Sequence, residues 1–130
     1  MISSRYININ RILALATFLI SFVVYFDTMA PSVSYWDCGE FIAVSYTLGV
    51  PHPPGSPLFL LLGRIASMIP ISEDIAFRVN LLSPLVSAFA VLFLYFIIVQ
   101  LVSHWRGKIN SNMDALITFG AGIVGSLTFA

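Results

Sequence analysis

Residues 81–103, LLSPLVSAFAVLFLYFIIVQLVS, carry no charged side chain, and residues 12–26 are apolar or small throughout. A helix needs about 20 such residues to cross the hydrocarbon of a bilayer. The 81–103 run reaches that length alone; the first run reaches it as 9–29, with Asp27 near one end. In hydrocarbon every backbone amide must be satisfied inside its own segment, so runs of this kind fold as helices. Composition agrees. Hydrophobic residues make up 58% of the chain and charged residues 9%, against about 25% charged in soluble domains. So few charges cannot cover a water-facing surface, and the chain reads as an all-α, polytopic helical membrane protein. Its net charge of zero gives no basic footprint for nucleic acid.

The start of the chain carries Arg5 and Arg11 and no acid. A signal peptide would begin this way, but no small-x-small cleavage pattern stands before Pro31, which favours an uncleaved first span. Pro31 and its serine neighbours mark a loop. Residues 37–48 then have helical spacing, with Gly49 and Pro51 as a stop. PHPPGSP, residues 51–57, cannot be regular helix or strand, because its prolines fix backbone dihedrals and remove amide donors. The helix expected over 57–69 accepts Pro57 in its first turn. It is too short to span and carries Arg64, so it is expected to lie at the interface. Ser72-Glu73-Asp74 signals a helix start, for a helix running through Arg78 and Asn80 into 81–103 with a kink at Pro84. HWRGKINSNMD is polar, and 115–130 begins a further apolar run.

The expected organisation is one N-terminal transmembrane fragment, 1–130. Spans lie at about 9–29, 81–103 and 115–130, and a long first outer loop, about 30–78, contains short juxtamembrane helices. Because the chain stops inside an apolar run, it is expected to be part of a larger protein. If 57–69 does not cross, Arg5, Arg11, Arg106 and Lys108 share one side, which the positive-inside rule makes cytoplasmic. Residues 30–78 then face outward, into periplasm or lumen. If 57–69 crossed, the basic residues at 106 and 108 would move outside.

Between the apolar runs lies YWDCGEFIAVSYTLGVPHPPGSPLFL, with two of six acidic residues, the single cysteine, one of two histidines and four of seven prolines. Asp37 and Glu40 stand three apart, close to a capping box in which Asp37 accepts from an amide and Glu40 reaches back. The same carboxylates could act as a base at the aqueous face, and the two readings are compatible. His52 is either a surface loop residue or, held between prolines, a hydrogen-bond partner for phosphate or a hydroxyl. Asp37, Glu40 and His52 could converge, but spacing fixes no geometry among them, so a divalent metal is possible but not indicated, and no cofactor is expected. Arg64 and Arg78 either snorkel at span ends or capture a lipid phosphate with their planar fork. Trp36, Tyr35 and Tyr46 read as interfacial aromatics. Cys38, being alone, excludes an internal disulfide and a multi-cysteine metal site and reads as a packing residue.

The pieces D-x-G-E, then G-V-x-H-P-P-G-x-P-L, then N-L-x-S, across residues 35–90, resemble the N-terminal part of the domain-of-unknown-function 2723 family. That family has bacterial members and animal relatives that act as protein O-mannosyltransferases. The chain also looks like the start of a GT-C glycosyltransferase: a first span, an outer loop bearing the essential acid, then a return span. The resemblance implies sugar transfer, with mannose the best guess, from a polyprenyl-phosphate donor to a protein hydroxyl by inverting displacement, at a bacterial inner membrane. It implies Asp37 as base with Glu40 as the alternative, and His52, Arg78, Arg64 and Asn80 as substrate-binding. Cys38 stands where a small residue is expected. At most three spans are present where GT-C enzymes have many, so this fragment alone is not expected to be active. The rival readings are a transporter or flippase fragment and a non-catalytic membrane subunit. Transporters place charges at the midplane, whereas here they gather at span ends and in one outer loop.

Overall fold

A computed structural model describes residues 4–107 and 109–130, apart from the side chains of residues 4 and 5. Lys108 and the Arg5 side chain, both used in the orientation argument, lie outside the described residues. The described chain is all helical: α1 (Ser4–Thr28), α2 (Cys38–Thr47), α3 (Pro57–Met68), α4 (Ile75–Asn80), α5 (Leu82–Arg106) and α6 (Asn112–Phe129). Two stretches, Tyr6–Thr28 and Ile75–Arg106, are long and apolar enough to cross a membrane. The helices group into two compact units. One takes in the chain before Phe26 together with Val86–Ala130; the other is Phe26–Leu85.

In the first unit α1, α5 and α6 share a core of Tyr6, Ala14, Tyr95, Val99, Ala115 and Phe119. Two tyrosine hydroxyls in it are paired with asparagine side chains. The Tyr95 hydroxyl donates to Asn10 Oδ1 at 2.9 Å and the Tyr6 hydroxyl to Asn112 Oδ1 at 3.0 Å. Small residues let α6 approach α5: a Cβ added to Gly122 would lie 2.7 Å from a Val99 methyl and 2.9 Å from the Tyr95 ring. Ser111 and Asp114 close a capping box on α6, with Asp114 N–H donating to Ser111 Oγ (3.1 Å) and Ser111 N–H to Asp114 Oδ2 (3.2 Å). The S-x-x-D signal for that box lies in a stretch read above only as polar.

In the second unit α2 packs on α3 and α4. Ile42, Ala76 and Val79 form its core, with Cys38, Phe59 and Ile75 against them. Gly63 of α3 meets Ser45 of α2 so closely that an added Cβ would sit 2.5 Å from Ser45 Oγ. Asp74 caps α4 as expected, accepting from Ala76 N–H at 2.8 Å.

α2 ends just before Gly49: Leu48 takes the left-handed conformation, at φ 54°, and the Gly49 amide donates back to the Val44 carbonyl at 3.1 Å. One expectation is corrected. The expected helix with a kink at Pro84 is instead divided at Leu81, between α4 and α5. Pro84 has no amide to offer the Asn80 carbonyl and its ring crowds that carbonyl, so the ladder is interrupted one turn upstream of the proline.

Candidate active site at the start of α2

Asp37 occupies the N-cap position of α2, yet its carboxylate caps nothing. Its backbone is in the right-handed helical region, φ −75° and ψ 0°, and a side-chain cap needs an extended N-cap residue to bring the carboxylate back onto the helix amides. Trp36, at φ 59°, delivers the chain into α2 in this way. Glu40 does not reach back either. Its Oε1 accepts the main-chain N–H of His52 at 2.8 Å, and its Oε2 lies 2.7 Å from His52 Nδ1. The capping-box expectation therefore fails in both halves, because one carboxylate is held off by the backbone and the other is taken by a histidine from the next loop.

His52 is presented by the proline turn. Gly55, at φ 75°, supplies the left-handed residue, and its amide closes the turn onto the His52 carbonyl at 3.1 Å; the Pro53–Pro54 peptide is cis. Phe41 stands edge-on to the imidazole with ring centres 6.1 Å apart, and Phe59 packs edge-on to Phe41 at 5.8 Å. The far imidazole nitrogen, Nε2, comes within 3.9 Å of Asp37 Oδ2. One donor atom from each of Asp37, Glu40 and His52 falls within 4.8 Å of the others.

The three groups face water, with side-chain exposures of 63% for Asp37, 38% for Glu40 and 48% for His52. Glu40 is held below its ordinary carboxylate pKa, first by the His52 side-chain hydrogen bond and then by the main-chain one. The same hydrogen bond, followed by the Glu40 charge and then the more distant Asp37, raises His52 above the ordinary imidazole value. The pair therefore favours an imidazolium beside a carboxylate, next to a carboxylate with no cap bond.

Beside it a cavity of about 380 Å³ opens, lined by Phe41, Phe59, Cys38, Asn80, Ser56 and Ser83 among others. Phe41 borders both the cavity and His52. Sequence reasoning missed Phe41 and Phe59; their only advance signal was an aromatic directly after Glu40 and another just beyond the proline turn.

The remaining candidates are turned to the fold. Arg64 donates to the Tyr46 carbonyl and lies over the Tyr46 ring, 5.6 Å from its centre. Arg78 donates to the carbonyls of Ser72 and Ser67, tying the end of α3 to α4. Asn80 donates to the carbonyls of Ala30 (3.0 Å) and Ser32 (2.9 Å) and accepts from the Cys38 thiol (3.7 Å). Asp37, Glu40 and His52 are thus brought together, while Arg64, Arg78 and Asn80 bond main-chain carbonyls and, for Asn80, Cys38.

A family profile described as "Protein O-mannosyl-transferase TMEM260 N-terminal domain" matches residues 37–130. The protein O-mannosyl-transferase tmem260 of Dictyostelium discoideum is 38% identical over 94 residues, covering 70% of this chain and 12% of that protein. The protein O-mannosyl-transferase TMEM260 of Mus musculus is 35% identical over 96 residues, covering 74% of this chain and 14% of its own length. The matched region therefore takes up less than a sixth of either relative. No solved structure matches the chain. With Asp37, Glu40, His52 and the whole proline turn inside the matched region, the chain belongs to the protein O-mannosyl-transferase TMEM260 N-terminal domain family.

Proposed function

We propose that this chain is the N-terminal part of a membrane glycosyltransferase that moves a sugar, mannose, from a polyprenyl-phosphate donor to a protein hydroxyl on the outer face of a membrane. The observation that carries the proposal is the meeting of Asp37, Glu40 and His52, with the Asp37 carboxylate free of any cap bond. The names of the two relatives supply the transferred group and the protein acceptor. The polyprenyl-phosphate donor and the GT-C plan come from the motif resemblance and belong to the proposal.

In the reaction the acceptor oxygen attacks the anomeric carbon from the face opposite the phosphate. The new carbon–oxygen bond forms as the carbon–phosphate-oxygen bond breaks, its electron pair leaves on the phosphate, and configuration inverts. Asp37 takes the acceptor proton. Phosphate needs no strong acid to leave, but it does need positive charge nearby, and His52, whose protonated form Glu40 favours, supplies it. Glu40 is a positioning residue rather than a second base, since both its oxygens are engaged. Arg64, Arg78 and Asn80 hold the backbone that frames the site. No step needs a metal or cofactor.

The chain sits in the bilayer through α1, α5 and α6, with residues 30–78 outside and the N-terminus in the cytoplasm. Both relatives are eukaryotic. They lend no support to a bacterial inner membrane, and the outer face is periplasm or lumen. The test is Asp37→Asn in the full-length protein. Transfer falls by about 10²–10⁴-fold, the share a general base supplies, while membrane insertion is unchanged. Wild-type transfer by this variant would refute the assignment.

A further inference from the structure

We propose that Asn80 is a positioning residue for Asp37, clamping both sides of the strained turn that keeps this carboxylate off the helix amides and beside His52. The inference rests on the reading of Asp37 as the base. Asp37 needs support from elsewhere. Its side chain is 63% exposed and makes no cap hydrogen bond, and His52 Nε2 stands 3.9 Å away, beyond hydrogen-bond reach. Its aim is therefore set by its backbone, at φ −75° and ψ 0°, and by Trp36 before it, at φ 59°. A bulky side chain rarely takes that left-handed conformation, and it persists only where the surroundings over-determine it. Ring packing does not do so, because Tyr35 is 96% exposed and Trp36 is 90% exposed.

One side chain from another helix supplies the restraint. Asn80, the last residue of α4, holds the turn from both ends. Upstream, its amide nitrogen donates to the carbonyls of Ala30 at 3.0 Å and Ser32 at 2.9 Å. Downstream, its amide oxygen accepts at 3.7 Å from the thiol of Cys38, the residue directly after Asp37. All three bonds go to the single segment 30–38. A primary amide suits this task, because it carries two N–H donors and an acceptor on one planar end. An aspartate there would set oxygen against two carbonyl oxygens, and an alanine would leave both carbonyls without a donor. Asp37 lies inside the bracketed segment, so a change at Asn80 displaces the carboxylate without removing any group from it.

The experiment is a double-variant cycle in the full-length protein, with transfer counted per folded molecule after size exclusion. Asn80→Asp keeps the side-chain size and the oxygen facing Cys38 and removes both donations to the loop; Asn80→Ala removes all three bonds. Each should lower kcat by about 10²-fold, the loss expected from misplacing a catalytic group by about 1 Å, with the Michaelis constants of donor and acceptor unchanged. Combined with Asp37→Asn, either should cause no further loss, because a residue that acts through the base then has nothing to position. Losses that multiply overturn the proposal. So does a raised Michaelis constant with kcat kept, which would put Asn80 on the substrate itself. Wild-type kcat in Asn80→Asp with a lowered unfolding midpoint also overturns it, leaving Asn80 a purely structural role. If Asp37→Asn transfers like wild type, it is the proposed function that fails. Alkylation of Cys38, read by peptide mass spectrometry, then still decides whether the clamp exists: it should quicken in Asn80→Ala, and an unchanged rate overturns the clamp.

Discussion

Glu40 accepts twice from His52, and this pairing makes pH-dependent behaviour predictable at the scale of single groups. His52 is raised above its ordinary 6.5, so its contribution to stability is complete below that value and is lost as pH rises through the raised folded value. Glu40 is depressed below its ordinary 4.5, so its contribution is present above that value and is lost as pH falls through the depressed one. The pair is therefore intact across the interval between those two ordinary values. Glu40→Gln should return the His52 titration towards 6.5, read by NMR of the imidazole protons; an unmoved titration would show that Glu40 does not set the charge. His52→Ala should raise the Michaelis constant for the lipid donor more than that for the acceptor, and equal effects on both would count against a phosphate role. These residue types were legible in the sequence as polar positions in an apolar chain. Their partners were not: Asp-x-x-Glu suits a capping box equally well, and only the helical backbone of Asp37 decides against it.

At the scale of elements, the Phe26–Leu85 unit depends on how closely α2 and α3 approach. Gly63→Ala places a methyl 2.5 Å from Ser45 Oγ and 2.8 Å from Ser45 Cβ, so the helices must part, at a cost of about 1–3 kcal/mol. The loss should appear as a lower unfolding midpoint, and Ser45→Gly in the same chain should recover part of it. An additive double variant would mean that the contact is not the cause. At the other end, Ser111→Ala removes half of the α6 capping box and should cost about 1 kcal/mol, with Ser111→Thr close to wild type in the same denaturation series. Helix positions were readable because apolar period, proline and glycine act locally. The dividing point at Leu81 was not placed correctly, because the proline acts on a carbonyl four residues before it rather than at its own position.

At the scale of the molecule, sidedness is the quantity to measure. With Cys38→Ser as background, a cysteine introduced at Val50, which is 93% exposed just before the proline turn, should react with a membrane-impermeant maleimide added outside. One introduced at Trp105, also 93% exposed, should react only after the membrane is opened. The reverse pattern would overturn the topology and with it an outward-facing site.

The sequence by itself determined the all-helical class and the apolar runs, because an uncharged run of that length has few other ways to satisfy its backbone in lipid. It also singled out 35–60 as the polar stretch between the apolar runs. What only the tertiary structure decided is which of those polar groups meet. Glu40 and His52 are twelve positions apart, and their contact depends on a left-handed glycine and a turn stiffened by prolines. Arg64 and Arg78 matched a phosphate site by residue type, but in the fold their guanidinium groups bond main-chain carbonyls. A side chain's partner depends on where the backbone aims it, and spacing along a chain does not carry that information across a loop.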